Sequence, residues 1–382
     1  MREVRKNAET GVCKLRYFWS RSADAASVSD DRMPAATATD ANIGEMSSFE
    51  ELVEAESADR LNNRLAFSLA YSLLHTARVM SYAPLLAASL LRWPFRTASA
   101  ITAYYTLRFR SSTWRRAVVR LASLSSSKRP RLLRAQTKPY DRTRRYVLAA
   151  HPHGILNYGW WNLIARFGVK PLLDGLELVM CMAPAVQWYP IYGEIFEDRA
   201  ADASATTVRR VLAAGMTPAL IPGGFSEAVY TAASPDEEYA YLAERSGFVK
   251  LAIEHGVDII PSYTYGLNDM YHTVDTARHW RAVKAQASGL PLVLWWGPWL
   301  FNNVPATEDV TVATFDPFPA SKYTLDELPE AHAAYLAYLK QCFDSRKAEC
   351  GAAHKELRFI GKHTTPAQAA AAAAAATPRS RL

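Results

Sequence analysis

Two histidines flank a proline in "HPHG", His151 to Gly154, directly after the apolar run "YVLAA". Proline holds the residue before it extended and fixes its own φ. The two imidazoles are therefore set in a defined relation, and Gly154 lets the chain turn and a substrate approach closely. Such a pair suits proton transfer near neutral pH; the plain alternative is a pair of buried core histidines. A metal site needs further ligands, and His255 and His272 stand at no recognised spacing, so no metal is expected. A second group is "PGGFSE", Pro222 to Glu227. Gly223 and Gly224 can expose backbone N–H groups, which suit an anion or a developing oxyanion. Glu227 either orients a histidine or caps a helix. A third group opens with Arg245, Gly247 and Phe248 in "ERSGFVKLAIEHG". Arg245 suits a phosphate or carboxylate, or a surface ion pair with Glu244 or Glu254.

These groups need a scaffold, and the pattern around them supplies one. Short apolar runs read as strands at Tyr146–Ala150, Leu176–Met182, Thr217–Ile221 and Val257–Tyr263. Amphipathic runs read as helices at Ile155–Phe167, Ala203–Ala214 and Gly247–His255, with Gly256 as C-cap. A last helix is expected over about Leu325 to Arg346. Strand–helix alternation predicts an α/β fold with a mostly parallel sheet flanked by helices. In such sheets functional groups gather where strands end, and those ends carry His151–Gly154, Pro222–Gly224 and Pro261.

The three blocks in this order, with "YTYGLNDMY" and its Asn268 after the third, resemble the type 2 diacylglycerol acyltransferase family, which includes monoacylglycerol and wax-alcohol acyltransferases. The resemblance covers Tyr146 to Tyr271 most closely. It implies a glycerolipid-acyltransferase-like domain over 146–348 and an acyl group passed from acyl-CoA to a neutral lipid alcohol, diacylglycerol first. Monoacylglycerol, a fatty alcohol or a lysophospholipid is the runner-up acceptor; a non-catalytic lipid-binding protein is the alternative of another class. A thioester is already activated, so one base suffices, with no cofactor beyond acyl-CoA as co-substrate. The catalytic residues are expected to be His153 as base, His151 orienting it or binding substrate, and Glu227 as the carboxylate, because positions five after the histidines are Leu156 and Tyr158. Gly154, Pro222, Gly223, Gly224, Arg245, Gly247, Phe248 and Asn268 are the expected substrate-binding residues.

The remaining sequence speaks of a surface. Residues 1–60 read as disordered. Leu65–Leu91 is apolar but broken by His75, Arg78 and Pro84, and neither half reaches the roughly 18 uncharged residues of a simple span. A kinked membrane-associated hairpin over 61–107 is expected, with "WPFR" at 93–96 as interfacial anchor. Thirteen Lys or Arg and a single acid, Asp141, then lie between Arg108 and Arg145, a basic juxtamembrane segment over 108–145. No nucleic-acid motif accompanies it, so membrane lipid is the expected partner; a homo-oligomer is compatible with the pattern. "LPLVLWWGPWLF", from Leu290, has three tryptophans and suits a bilayer interface or ordinary core packing. The four cysteines have no finger or disulfide spacing. From 349 a low-complexity tail is expected, its alanine tract having nothing evident to pack against. The endoplasmic reticulum membrane and lipid droplet are the expected address; the terminal Ser380-Arg381-Leu382 is a minor pointer to the peroxisome.

Overall fold

The computed structural model describes residues 91–376, apart from 112, 115, 118–129, 156, 168–171, 184–199, 289–291, 294 and 297–308. In chain order the strands are β1 (Arg131–Arg134), β2 (Tyr146–His151), β3 (Leu178–Met182), β4 (Ala200–Asp202), β5 (Thr217–Leu220), β6 (Glu237–Ala240), β7 (Asp258–Tyr265), β8 (His272–Thr273), β9 (Trp295–Trp296), β10 (Thr311–Thr314) and β11 (Glu356–Phe359). The helices are α1 (Pro94–Arg110), α2 (Tyr158–Phe167), α3 (Ala205–Ala213), α4 (Gly224–Ala228), α5 (Gly247–Glu254), α6 (Arg278–Ser288), α7 (Leu328–Arg346) and α8 (Pro366–Ala376).

Seven strands form one sheet in the order β1-β10-β7-β2-β5-β3-β4. Its neighbours are parallel except at β10–β7, which run antiparallel. The two central strands are buried along their whole length, as a strand covered on both faces must be. Side chains alternate across the sheet. Tyr146, Leu148 and Ala150 of β2 enter one core with α2 and α6, while Val147 and Ala149 enter the other with α3, α5 and α7.

Each expected strand and helix of the central region forms, shifted by a few residues at its ends. α3 starts one turn after Asp202 because Ser204 caps it, its side chain accepting from the Thr207 N–H. α7 starts at Leu328, where Pro329 can sit only in the first turn.

Three expectations are corrected. Strands come from both sides of 146–348: β1, from the basic segment, joins the main sheet, and β11 pairs with β6 at Glu237 to Ala240 in a separate two-stranded sheet. The tail from 349 is packed at its start, with Ala352, Leu357 and Ile360 buried. The alanine tract does find a surface, for α8 sits against β11 and its Ala369 packs on the core. Residues 1–60, the hairpin Leu65–Leu90, most of the "WRRAVVRLASL" segment and the terminal Ser-Arg-Leu lie outside the described residues. Of the tryptophan-rich stretch, Trp295 is core, packed edge-to-face on Tyr271 at 4.9 Å. Among the described residues no helix is long and apolar enough to cross a membrane. "WPFR" opens α1, whose Phe95, Ile101 and Leu107 are exposed together with Trp93 and Leu91.

Candidate active site

The carboxyl ends of β2, β3 and β5 meet at a cavity of about 640 Å³. Its wall is mostly apolar: Ile155, Trp161, Met180, Met182, Val208, Leu220, Ile221, Phe225, Phe248 and Leu251. His153, Asn157, Arg209, Arg245 and Lys250 add the polar groups.

β2 delivers both histidines, and the two part company there. His151 is the last residue of the strand and is fully buried. Its Nε2 meets the Tyr335 hydroxyl at 2.9 Å, and its ring packs between Phe248 and Tyr335. It is not in the cavity wall. The His151–Pro152 peptide is cis. His153 lies beyond the proline, in the wall. Its Nδ1 contacts the Gly154 carbonyl at 2.8 Å. A carbonyl only accepts, so Nδ1 carries the proton and Nε2 is the basic nitrogen. Phe225 packs edge-on to the ring at 5.8 Å. Gly154 has φ +57°, and a Cβ there would meet Leu267 at 2.6 Å, so glycine is required.

Glu227 does not reach an imidazole nitrogen. One carboxylate oxygen accepts the backbone N–H of His153, and the other accepts the Tyr241 N–H at 2.7 Å. It therefore ties the histidine loop to the end of β6 through the main chain. Gly223 makes room for it, since a Cβ there would fall on the carboxylate at 2.1 Å. Arg245 makes no surface ion pair with Glu244 or Glu254. It donates to the Pro222 carbonyl and the Ser226 hydroxyl, both at 3.1 Å, and lies over the Tyr241 ring at 5.2 Å. The Gly224 N–H, expected to face an anion, donates to the Ile221 carbonyl at 3.1 Å and is occupied.

Pro222, Gly224, Arg245, Gly247 and Phe248 line the cavity with His153. Asn268 does not. Gly266, at φ +77°, turns the chain away after β7, and Asn268 donates instead to Glu238. That pair belongs to a buried network in which Lys355 Nζ lies 2.9 Å from Glu238 and 2.7 Å from Asp269. Sequence reasoning missed Asn157, Arg209, Lys250 and Phe225. Phe225 sits inside the quoted "PGGFSE", Lys250 lies one helical turn after Gly247, and Arg209, on α3, carries no signal of its own.

Residues 106–359 match the diacylglycerol acyltransferase family. The chain belongs to that family. Among relatives, it is 28% identical over 243 residues to human 2-acylglycerol O-acyltransferase 3, covering 58% of this chain and 69% of that protein. It is 26% identical over 239 residues to human acyl-CoA wax alcohol acyltransferase 2, covering 57% and 71%. It is 27% identical over 240 residues to mouse diacylglycerol O-acyltransferase 2, covering 56% and 60%.

As a diacylglycerol acyltransferase family member the chain is an acyltransferase whose co-substrate is acyl-CoA. The electrostatics of the cavity fit that chemistry. Burial, chiefly, and the Arg245 charge hold the His153 pKa below its usual value, although the Gly154 carbonyl opposes them. A neutral imidazole is then the resting form at neutral pH. Burial alone drives His151 down to about 3, so it too stays neutral. Burial pushes Glu227 up to about 7, against the two N–H groups and Arg245. Both its oxygens are engaged as acceptors, so the bonds on it favour the ionised form.

Proposed function

We propose that this acyltransferase esterifies diacylglycerol with the acyl group of acyl-CoA, and that His153 is the general base. The observation that carries this reading is the placement of one histidine in the wall of an apolar cavity, its Nδ1 held by a carbonyl and its Nε2 with no hydrogen-bond partner among the described residues. The acceptor hydroxyl loses its proton to Nε2 as its oxygen attacks the thioester carbonyl carbon. The C–S bond then breaks, and the imidazolium returns the proton to the departing thiolate. A positioned base of this kind contributes about 10²–10⁴-fold.

In this reading His151 is a core residue that anchors the strand end. Glu227 is a positioning residue that fixes the His153 backbone, and Arg245 balances its charge. The apolar wall takes the acyl chain. Arg209 and Lys250 supply cations beside the cavity for the phosphates of coenzyme A. The exposed apolar side chains of α1, Phe95, Ile101 and Leu107, with the basic stretch that follows them, meet a bilayer surface, where both lipid substrates reside. The endoplasmic reticulum is the matching address.

The test is acyl-CoA turnover by the full chain in microsomes, offered diacylglycerol, monoacylglycerol, a fatty alcohol and a lysophospholipid side by side. Preferred formation of triacylglycerol supports the reading. Preference for another alcohol moves the acceptor. No transfer to any of them removes the proposal.

A further inference from the structure

In the cavity wall, the side-chain oxygen of Asn157 has no hydrogen-bond partner among the described residues. Asn157 follows His153 by four positions, and its backbone N–H donates to the His153 carbonyl at 3.2 Å. It stands directly before α2. A residue there ordinarily has extended backbone, and its side-chain oxygen caps the helix by accepting an N–H from the first turn. Asn157 does neither. Its φ is +47°, in the left-handed region that asparagine tolerates better than most residues. Its Oδ1 is buried with no hydrogen-bond partner, and the residue is only 9% exposed.

An unpaired buried carboxamide on left-handed backbone costs stability twice over. Strain of this kind persists where it serves a site, and here the site is adjacent: Asn157 and His153 line the same cavity. Around Asn157 the wall is apolar, with Ile155 and Trp161 on either side of it in sequence. In so apolar a wall, a single N–H donor has a large effect on developing charge. The buried atom without a partner is the Oδ1, and Asn157 lines the cavity, so its carboxamide has an N–H to offer a group bound there. The Gly224 N–H, the donor that the glycine pair suggested, is already used within its own turn.

We propose that Asn157 is a catalytic residue whose carboxamide N–H receives the oxyanion formed from the thioester carbonyl. This rests on the acyl-CoA reading above. The acceptor oxygen bonds to the carbonyl carbon, and its proton passes to His153 Nε2. The carbonyl π pair moves onto oxygen, where the Asn157 N–H donates to it. The pair then returns, the C–S bond breaks, and the thiolate takes the proton from His153 and leaves as free coenzyme A.

Asn157→Gly and Asn157→Asp separate this role from a structural one. Glycine suits the backbone angle and removes the donor; aspartate keeps the shape and removes the N–H. In microsomes bearing the full chain, both variants are expected to lower kcat by about 10²–10³-fold. The acyl-CoA KM should move little, and the loss should be equal for every acceptor and for hydrolysis of acyl-CoA by water, since the thioester is common to all. The melting temperature of Asn157→Gly should not fall, which a purely structural role also allows, so kcat decides. Both variants keeping kcat within about threefold of the parent would overturn the proposal, that being far below the loss of one oxyanion donor. A loss confined to the KM of one acceptor would overturn it too, making Asn157 a reader of the alcohol. If the parent chain transfers nothing from acyl-CoA, the functional reading has failed first and this proposal falls with it.

Discussion

His151 and His153 are separated by one proline, yet they occupy opposite environments. The His151 ring is sealed in the core under α7, its Nε2 on Tyr335 and its Nδ1 unpartnered. The His153 ring faces a cavity, its Nδ1 on the next carbonyl and its Nε2 free. Burial depresses the pKa of both. Only one has a basic nitrogen where a substrate can meet it. Perturbed titration is therefore a poor guide to catalysis when the group has no access, and geometry must be read first.

Substitutions separate the two histidine environments. The largest stability effect should come from His151→Ala, which empties a ring-sized space against Phe248 and Tyr335 and should cost about 3–5 kcal/mol. Thermal unfolding measures it, and the folded fraction should keep turning over. Glu227→Gln should be next. The amide directs an N–H at a backbone donor, and the unpaired N–H costs about 1–3 kcal/mol. Turnover should fall with it because the His153 loop loses its tie, while the acyl-CoA KM stays close to that of the parent.

Acid should reveal the buried ring by linkage. The unfolded state binds a proton at His151 below about 6.5, while the native ring does so only near 3. Stability should thus be full above the unfolded pKa and decline as pH falls from there toward 3. His151→Phe should flatten that slope in urea titrations at several pH values, and His153→Phe should change it less, since His153 stands at a cavity. The smallest effect on turnover belongs to Tyr335→Phe, which leaves the buried His151 Nε2 unpaired at a stability cost of about 1–3 kcal/mol and should leave turnover unchanged.

Much of this was legible in the sequence. Short continuous apolar runs and period-3.6 patterning located the strands and helices of the centre, because the central strands are covered on both faces and each helix buries one. The strand-end position of "HPHG" and "PGGFSE" placed both groups at one cavity. The edge strands were not legible. β1 is a basic stretch only partly buried, and β10 is a four-residue run whose antiparallel pairing depends on a partner 46 or more residues away. β11 is charged at both Glu356 and Arg358, and only its pairing with β6 makes it a strand. Side-chain partners were the least legible of all. Glu227 satisfies main-chain donors, Asn268 and Lys355 complete a buried ionic group, and Asn157 carries no motif, because each of these depends on loops meeting in three dimensions.

The central claim is that His153, and not His151, is the base. The most direct measurement is kcat for His153→Gln and His151→Gln in the same microsomes, normalised to folded protein and supplied with acyl-CoA and diacylglycerol. His153→Gln should fall by about 10²–10⁴-fold, while His151→Gln stays within about tenfold of the parent. The reverse order, or equal losses from both, would contradict the account.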